Sequence, residues 1–435
     1  MELNRHSFVQ LSKVRSCLSF LVYALFLSAR GWGNHLFLNG DDATFFEAAY
    51  RDGWKSILKP FLGDSLFIQR IISYAISRGS IIGSSGIMFV VMIAGTAALA
   101  LAIEISVRKR AGRLFGVFAG MIFVLLPPVN TILIGQISTI HTFILTAALV
   151  SSLLRAFPMR ISQQNLLAVF GFLLAISHPF AFSLYLPLLL NLATSDWRFV
   201  NGEKRFYLGV SVGTIIQSAY QVSNSLEGLD TPSGREFGYA LRWMMYSLMP
   251  PPIRGKSLSE SSFSNDWIAV TLSICLVILI VFVLIKNTKN SDSHVQSKIA
   301  TKLFLCGILL LTAEFLLSSK RYQHYLVIPS MFFWLGCLFL FAHRGALSGR
   351  GQKFSAAFLC VLFLLGAAQT IRLGERDAFY PLDENYMTLR HEFWLESIAE
   401  AQKTCLGYDK NHIVVLETMP SKQFTMSIPC WSLGD

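Results

Sequence analysis

The segment "IMFVVMIAGTAALALAIEISVRKR", residues 87–110, is apolar almost throughout until three consecutive cations end it. An α-helix needs about 20 mainly apolar residues to cross the hydrocarbon core of a bilayer. Cations directly after such a run are typical of a short cytoplasmic loop. The segment therefore predicts a transmembrane helix whose C-terminal end lies on the cytoplasmic side.

The composition of the whole chain agrees with this segment. Of 435 residues, 53% are hydrophobic and 14% are charged, and the mean hydropathy is +0.51. A soluble protein carries about 25% charged residues, so this composition argues against a soluble fold. The net charge of +11 comes largely from cations in short loops between apolar runs, which indicates membrane topology rather than nucleic-acid binding.

The apolar runs predict an all-α polytopic membrane protein with about eleven transmembrane helices. We expect a transmembrane domain over residues 1–371 and a C-terminal cap over residues 372–435. Proline disfavours helix at the residue before it, so Pro179 predicts two short spans that meet at a tight turn. The predicted spans lie near residues 16–37, 87–107, 114–134, 139–154, 165–178, 180–194, 206–222, 267–285, 299–318, 323–342 and 354–371.

The distribution of cations predicts the orientation of these spans. Cations almost without acids occupy the N-terminal tail and the loops that begin at Arg108, Arg155, Arg198, Lys286 and Arg344. These segments should be cytoplasmic. An odd number of spans then places the C-terminus outside. Three long outer segments follow, at residues 30–86, 223–266 and 372–435, and they suggest a site at the outer membrane surface.

The first outer segment predicts an amphipathic helix that lies in the membrane interface and is anchored by Trp54. Glu47, Arg51 and Lys55 are spaced four residues apart, which places them on one polar face. A second stretch, "SLFIQRIISYAI" at 65–76, is expected to lie in the interface as well. The opposite, apolar face of the first helix would hold Phe46, Ala49, Tyr50, Gly53, Trp54, Ile57 and Leu58.

The C-terminal segment predicts a small α+β cap outside the membrane. "YMTLRHEFWLESIAEAQKTCLG", residues 386–407, predicts a helix that Gly407 ends, and "HIVVLE", residues 412–417, predicts a strand. Cys405 and Cys430 are the two cysteines placed outside, and in an oxidising compartment we expect them to form a disulfide. The other cysteines lie in predicted spans and are expected to be buried apolar residues: Cys17, Cys275, Cys306, Cys337 and Cys360.

Two adjacent carboxylates, Asp41 and Asp42, begin the first outer segment. One interpretation is a helix N-cap with a solvated neighbour, since Asp is a preferred N-cap residue. The other is a general base at the membrane surface, acting on a substrate whose leaving group stays in lipid. The position directly after a span and before an aromatic helix favours the second interpretation.

The chain resembles the GT-C superfamily of integral-membrane glycosyltransferases. The resemblance rests on a first span followed by "GDDATFFEAAYRDGW" at 40–54, on "KRYQHYLVIP" at 320–329 and on "QISTIHTF" at 136–143. Within that superfamily the chain is most similar to bacterial enzymes that decorate surface polysaccharide, such as serotype-converting O-antigen glucosyltransferases. Its Asp-Asp pair stands where many members have Asp-Glu, which leaves open which carboxylate is the base.

The resemblance implies a reaction at the outer face of the bacterial inner membrane. Such enzymes transfer a sugar, here glucose or another hexose, with inversion from a polyprenyl-phosphate carrier to a polysaccharide acceptor such as O-antigen. Asp41 would act as the base and Asp42 as its support. No cofactor is implied, and metal is dispensable for donors of this kind. A donor synthase and a flippase of the same pathway are the implied partners, besides membrane lipids.

The departing phosphate requires cations. Arg321 is the first candidate because arginine can bind phosphate through two parallel hydrogen bonds, and Tyr322 and His324 accompany it. Arg235 and Arg242, in the second outer segment, are further candidates. His141 and His178 lie near outer helix ends, where a structural histidine is the alternative interpretation. No sequence pattern predicts a metal site.

Two other functions fit the same topology. A flippase or transporter of lipid-linked saccharide would need intramembrane charges along several spans, and few charges lie in the predicted spans. An O-antigen polymerase or ligase would also use polyprenyl carriers and outer loops. Sugar transfer from a purified polyprenyl-phosphate donor distinguishes these possibilities.

Overall fold

The computed structural model of the chain is mostly helical. The residues that the structure describes are 2–32, 38, 40–61, 64–126, 134–156, 161–178, 180–194, 201–224, 294–317, 327–341, 386–418 and 425–434.

Twelve α-helices and one two-stranded sheet are found among these residues. The helices are α1 Glu2–Gly31, α2 Gly40–Asp52, α3 Phe67–Ile76, α4 Ile81–Ala111, α5 Arg113–Leu125, α6 Ile137–Leu153, α7 Ile161–Ala175, α8 Tyr185–Thr194, α9 Asn201–Asn224, α10 His294–Leu317, α11 Val327–Phe341 and α12 Tyr386–Cys405. The strands are β1 Ile413–Glu417 and β2 Thr425–Pro429, and short 3₁₀ helices lie at Gly53–Leu58, Ala181–Leu184 and Cys430–Leu433.

Three of the described helices are long and apolar enough to cross a membrane. They contain the stretches Val14–Gly31, Ile81–Ala111 and Val295–Ala313, and six shorter apolar helices accompany them. The described residues therefore do not supply the expected eleven or so spans. One physical reason is that prolines end apolar runs early: α5 ends at Leu125, just before two prolines in the sequence. The predicted spans at 267–285 and 354–371 lie outside the described residues.

The helices pack closely around α4, which contacts α1, α5 and α6. Glu104 of α4 is buried at 3% exposure and accepts a hydrogen bond of 2.8 Å from the Tyr23 hydroxyl of α1. Helices α7 and α9 approach even more closely, because a Cβ atom on Gly209 would lie 1.9 Å from the carbonyl oxygen of Ala168. Small residues that let helix backbones approach are typical of helix pairs in membranes.

The break that the sequence predicts near Pro179 is present. Helix α7 ends at Ala175, a 3₁₀ helix covers Ala181–Leu184, and α8 begins at Tyr185. The two short apolar helices on either side are the consequence of that break.

Helix α2 differs from the prediction in its length and in its environment. It ends at Asp52, because Gly53 has a positive φ of 58° and begins a 3₁₀ helix. The expected apolar face therefore does not continue to Trp54, which is 60% exposed. The aromatic residues before the break, Phe45 and Phe46, are fully buried within the protein rather than lying in the interface.

Helix α3, the second predicted amphipathic helix, turns its polar residues inward. Gln69, Arg70 and Ser73 are buried, whereas Ile71 is 38% exposed. This orientation fits a helix at a lipid surface, where apolar side chains face the membrane and polar ones face the protein.

The C-terminal cap is an α+β unit, as the sequence predicts. Strand β1 pairs antiparallel with β2, and α12 packs against β1. A disulfide joins Cys405, at the end of α12, to Cys430, directly after β2, with 5.6 Å between their Cα atoms. The cap docks on α2, where the rings of Tyr50 and Trp431 lie 5.5 Å apart. The cap thus covers the helix that carries the acidic pair.

Candidate active site

The structure separates the two acids at the start of α2. Asp42 is fully buried, and its Oδ1 accepts a hydrogen bond of 2.8 Å from the backbone N–H of Ser138. Ser138 lies in the first turn of α6, where backbone N–H groups have no partner inside the helix and the helix dipole favours a negative charge. Asp42 therefore joins the start of α2 to the start of α6.

Burial, together with the nearby charge of Asp41, raises the pKa of Asp42 to about 7. Hydrogen bonds from Ser138 and Ile137 act in the opposite direction, because they stabilise the charged form. Its second oxygen, Oδ2, is buried and has no hydrogen-bond partner among the described residues. Near neutral pH, Asp42 is therefore protonated in part of the molecules and ionised in the rest.

Asp41, by contrast, is exposed in the first turn of α2. Successive residues of a helix point in different directions, so the anchored Asp42 leaves Asp41 facing outward. This arrangement can present a carboxylate to a hydroxyl group that arrives from water.

Arg70, which is not among the predicted site residues, is a buried cation beside α2, the helix that contains the acidic pair. Its side chain is in α3 at 3% exposure, and its guanidinium carbon lies 5.0 Å from the centre of the Phe45 ring. Nη2 donates a hydrogen bond of 3.4 Å to the Pro60 carbonyl, but Nε and Nη1 are buried and have no partner among the described residues. Burial lowers the pKa of Arg70, with Asp52 acting against this.

The charge of Arg70 is poorly compensated. Asp52 forms its own ion pair with Lys59, with 2.5 Å between Oδ2 and Nζ. A buried charge costs several kcal/mol unless it is paired and hydrogen-bonded. The two unpartnered nitrogens of Arg70 therefore suit an anion such as phosphate, which arginine binds through parallel hydrogen bonds.

Two histidines lie beside α3. Gln69 Nε2 donates a hydrogen bond of 2.7 Å to His141 Nδ1, and the rings of His141 and His178 lie 4.6 Å apart. The backbone N–H of Phe180 donates to His178 Nδ1 at 2.9 Å, so a neutral His178 carries its proton on Nε2. The two histidines add polar hydrogen-bonding groups to this end of the bundle.

The segment before α3 is tied to the neighbouring helices by further hydrogen bonds. Asp64 Oδ1 accepts bonds of 2.9 and 3.0 Å from the side chains of Gln217 and Gln221 on α9. Burial raises the pKa of Asp64. The backbone N–H of Ile68 donates to Ser177 Oγ at 2.9 Å. These contacts hold α3 over the ends of α7 and α9.

The other predicted site residues are not part of this cluster. Glu47 and Arg51 form an exposed ion pair of 3.2 Å on the outer face of α2, and Trp54 is exposed. His141 lies in the cluster, but the other expected donor-phosphate residues lie outside the described residues: Arg235, Arg242, Arg321, Tyr322 and His324. Within the described ranges, no three His, Cys, Asp or Glu side chains are grouped so that they could hold a metal ion.

A signal for the residues that were missed is present in the sequence. Gln69, Arg70 and Ser73 are spaced so that they share one face of a helix whose other residues are mostly apolar. In a chain with this hydropathy, such a polar face is expected to point into the protein.

Comparison with protein-family models, with curated proteins and with solved structures gave no match to this chain.

Proposed function

We propose that the chain is an integral-membrane glycosyltransferase that moves a hexose from a polyprenyl-phosphate carrier to a surface-polysaccharide acceptor such as O-antigen. The observation that carries the proposal is the difference in burial between the two acids. Asp42 is anchored on the first turn of α6 at 2.8 Å, and Asp41 beside it is exposed. Because the anchored Asp42 fixes the start of α2, it also fixes the position of the exposed Asp41, and this supports Asp41 as the base.

In the proposed reaction, Asp41 accepts the proton of the acceptor hydroxyl while the hydroxyl oxygen attacks the anomeric carbon. The bond from that carbon to the phosphate oxygen breaks, and the polyprenyl phosphate leaves with the electron pair. Attack from the opposite side inverts the sugar. General-base catalysis of this kind contributes typically 10² to 10⁴-fold, and fixing the hydroxyl near the anomeric carbon adds to it.

Arg70 supports the proposal from the other side of the reaction. Arg70 is 3% exposed, lies next to α2 and has two unpartnered guanidinium nitrogens, so it suits the phosphate on which negative charge develops. The exposed Ile71, its neighbour on α3, would face the lipid that holds the polyprenyl chain. Arg321, Arg235 and Arg242 stay predictions for the same role.

The membrane arrangement belongs to the same proposal. We place the chain in a bacterial inner membrane with about eleven spans, its N-terminus in the cytoplasm and its C-terminus and cap outside. The apolar helices are compatible with membrane association. Alkaline phosphatase fused after residue 435 should then be active, and the same fusion after Arg110 should be inactive.

The decisive experiment is transfer from a synthetic polyprenyl-phosphate hexose by the full chain in detergent. Asp41→Asn keeps the size of the side chain but removes its basicity, so transfer should fall by at least about a hundredfold. Glu47→Gln is the matched control, since it removes an exposed carboxylate of the same helix, and it should keep wild-type transfer.

Three results would contradict the proposal. The first is near-normal transfer by both Asp41→Asn and Asp42→Asn, which would make the pair a structural cap. The second is movement of the intact donor across vesicles without sugar transfer, which would indicate a flippase. The third is joining of whole polysaccharide chains, which would indicate a polymerase or ligase.

A further inference from the structure

The end of the bundle opposite the acidic pair carries a second unusual cluster. Helix α4 begins near α2 and ends at Ala111, and its 31 residues make it roughly 45 Å long. Around its far end lie Arg110, Arg155, Lys298 and Lys302, which we call the basic cluster. Arg110, Arg155 and Lys298 lie close enough to Lys302 for their positive charges to repel its own.

Among the described residues, one buried carboxylate lies within the basic cluster. Glu203 of α9 is 1% exposed and lies 3.3 Å from Arg155 Nε. Arg155 Nη2 is buried and has no hydrogen-bond partner among the described residues. The buried Nη2 amino group of Arg155 therefore still needs a hydrogen-bond acceptor.

Backbone carbonyls at the end of α6 accept hydrogen bonds from the cluster, directly or through Asn191. Arg110 Nε donates a hydrogen bond of 2.9 Å to the Leu154 carbonyl, and Lys302 Nζ donates one of 3.1 Å to Asn191 Oδ1. Asn191 in turn donates to the carbonyls of Ser152 and Leu153. Carbonyls at a helix C-terminus attract cations, but they supply about half an elementary charge.

The surface of α10 next to the cluster is apolar and exposed. Lys298, Lys302, Leu305 and Leu309 are separated by four, three and four residues, so they share one face of the helix. Leu305 is 42% exposed and Leu309 is 39% exposed. This face begins with cations and continues with leucines into the apolar stretch Val295–Ala313.

We propose that the basic cluster binds the phosphate of an anionic phospholipid, whose acyl chain lies along Leu305 and Leu309. Basic pockets between membrane helices are suited to anionic headgroups, and each lysine or arginine near the surface contributes about fivefold to such binding. The apolar face favours a lipid over a free anion, because a free phosphate would leave the leucines without a partner. This site is independent of the proposed sugar transfer.

The test is native mass spectrometry of the full chain in detergent with three probes. They are phosphatidylglycerol, phosphatidylcholine with the same acyl chains, and inorganic phosphate. The wild type should retain phosphatidylglycerol at least about tenfold better than phosphatidylcholine. The double variant Lys298→Gln with Lys302→Gln should lose this preference. Lys204→Gln, which removes an exposed cation of α9, should keep it.

A single substitution tests the proposal even if the double variant does not fold. Lys298 is exposed, so Lys298→Gln alone should fold normally and lower the preference about fivefold. Equal retention of both lipids by the wild type would overturn the proposal, and so would an unchanged preference in the double variant. Displacement of phosphatidylglycerol by an equal concentration of inorganic phosphate would also overturn it, since the site would then take a free anion.

Discussion

Helices α2 and α3 follow one another at the same end of the bundle, yet they bury opposite faces. Helix α2 buries aromatic residues, with Phe45 and Phe46 at 0% exposure, and leaves Arg51 on its outer face. Helix α3 buries Arg70 and leaves Ile71 partly exposed. The difference follows from what covers each helix: among the described residues the C-terminal cap packs on α2 and makes no comparable contact with α3.

The comparison shows that an amphipathic pattern identifies two faces without saying which one points inward. In water the apolar face is buried because its transfer from water is favourable. At a lipid surface that driving force disappears, and polar groups gain more from partners inside the protein. Two neighbouring helices with similar patterns can therefore have opposite orientations in one membrane protein.

The largest expected effect comes from the aromatic face of α2. Phe46→Ala removes a fully buried ring, and such truncations cost about 3–5 kcal/mol of unfolding free energy. Ile71→Ala on α3 is the matched control, because it shortens a partly exposed side chain and should cost about 0.5 kcal/mol or less. Thermal unfolding of both variants in detergent measures the difference. Similar losses would mean that α3 also buries its apolar face.

The next effect comes from the cations of the two helices. Arg70→Gln removes the buried guanidinium that we assign to the donor phosphate, so sugar transfer should fall about tenfold or more. Arg51→Gln breaks only an exposed ion pair with Glu47 and should leave transfer unchanged.

The kinetic signature separates binding from folding. Loss of a phosphate contact should raise KM for the lipid-linked donor or lower kcat, while KM for the acceptor stays constant. If Arg70→Gln lowers the amount of folded protein but leaves the kinetics of the remainder unchanged, Arg70 is structural and the donor phosphate binds elsewhere.

The sequence was sufficient for features that depend on local chemistry. The acids lie in the first turn of α2, the helix breaks near Pro179, and the cap contains a helix, a strand and the pair Cys405 and Cys430. The helix start and the helix break depend on the conformational preferences of single residues. The disulfide depends on the oxidising compartment that the predicted topology implies.

Long-range contacts and orientation could not be predicted in the same way. Asp42 and Ser138 are 96 residues apart, and nothing local to either residue indicates their hydrogen bond. Strand β2 is five residues long and depends on its pairing with β1 rather than on its own pattern. The inward face of α3 could not be read from its own residues, and the end of α2 depends on the positive φ of Gly53.

The last expected effect is a pH dependence, and it concerns the carboxylate that interrupts the apolar inner face of α2. Burial raises the pKa of Asp42 from 3.8 to about 7, so the folded state holds its proton more tightly than the unfolded state does. Stability is therefore greatest when Asp42 is protonated, and it falls as the pH rises from about 3.8 to about 7. The slope is at most about 1.4 kcal/mol per pH unit.

Asp42→Asn removes this titration while its side-chain oxygen can still accept the hydrogen bond from Ser138. The difference in Tm between variant and wild type, measured in detergent from about pH 5 to about pH 8, should grow in favour of the variant as the pH rises. Groups that titrate in both proteins cancel in this difference. Asp52→Asn alters a partly exposed carboxylate of the same helix and should follow the wild type. A difference between Asp42→Asn and wild type that stays constant over this range would show that Asp42 is ionised throughout, and α2 would then hold a charged anchor rather than a titrating one.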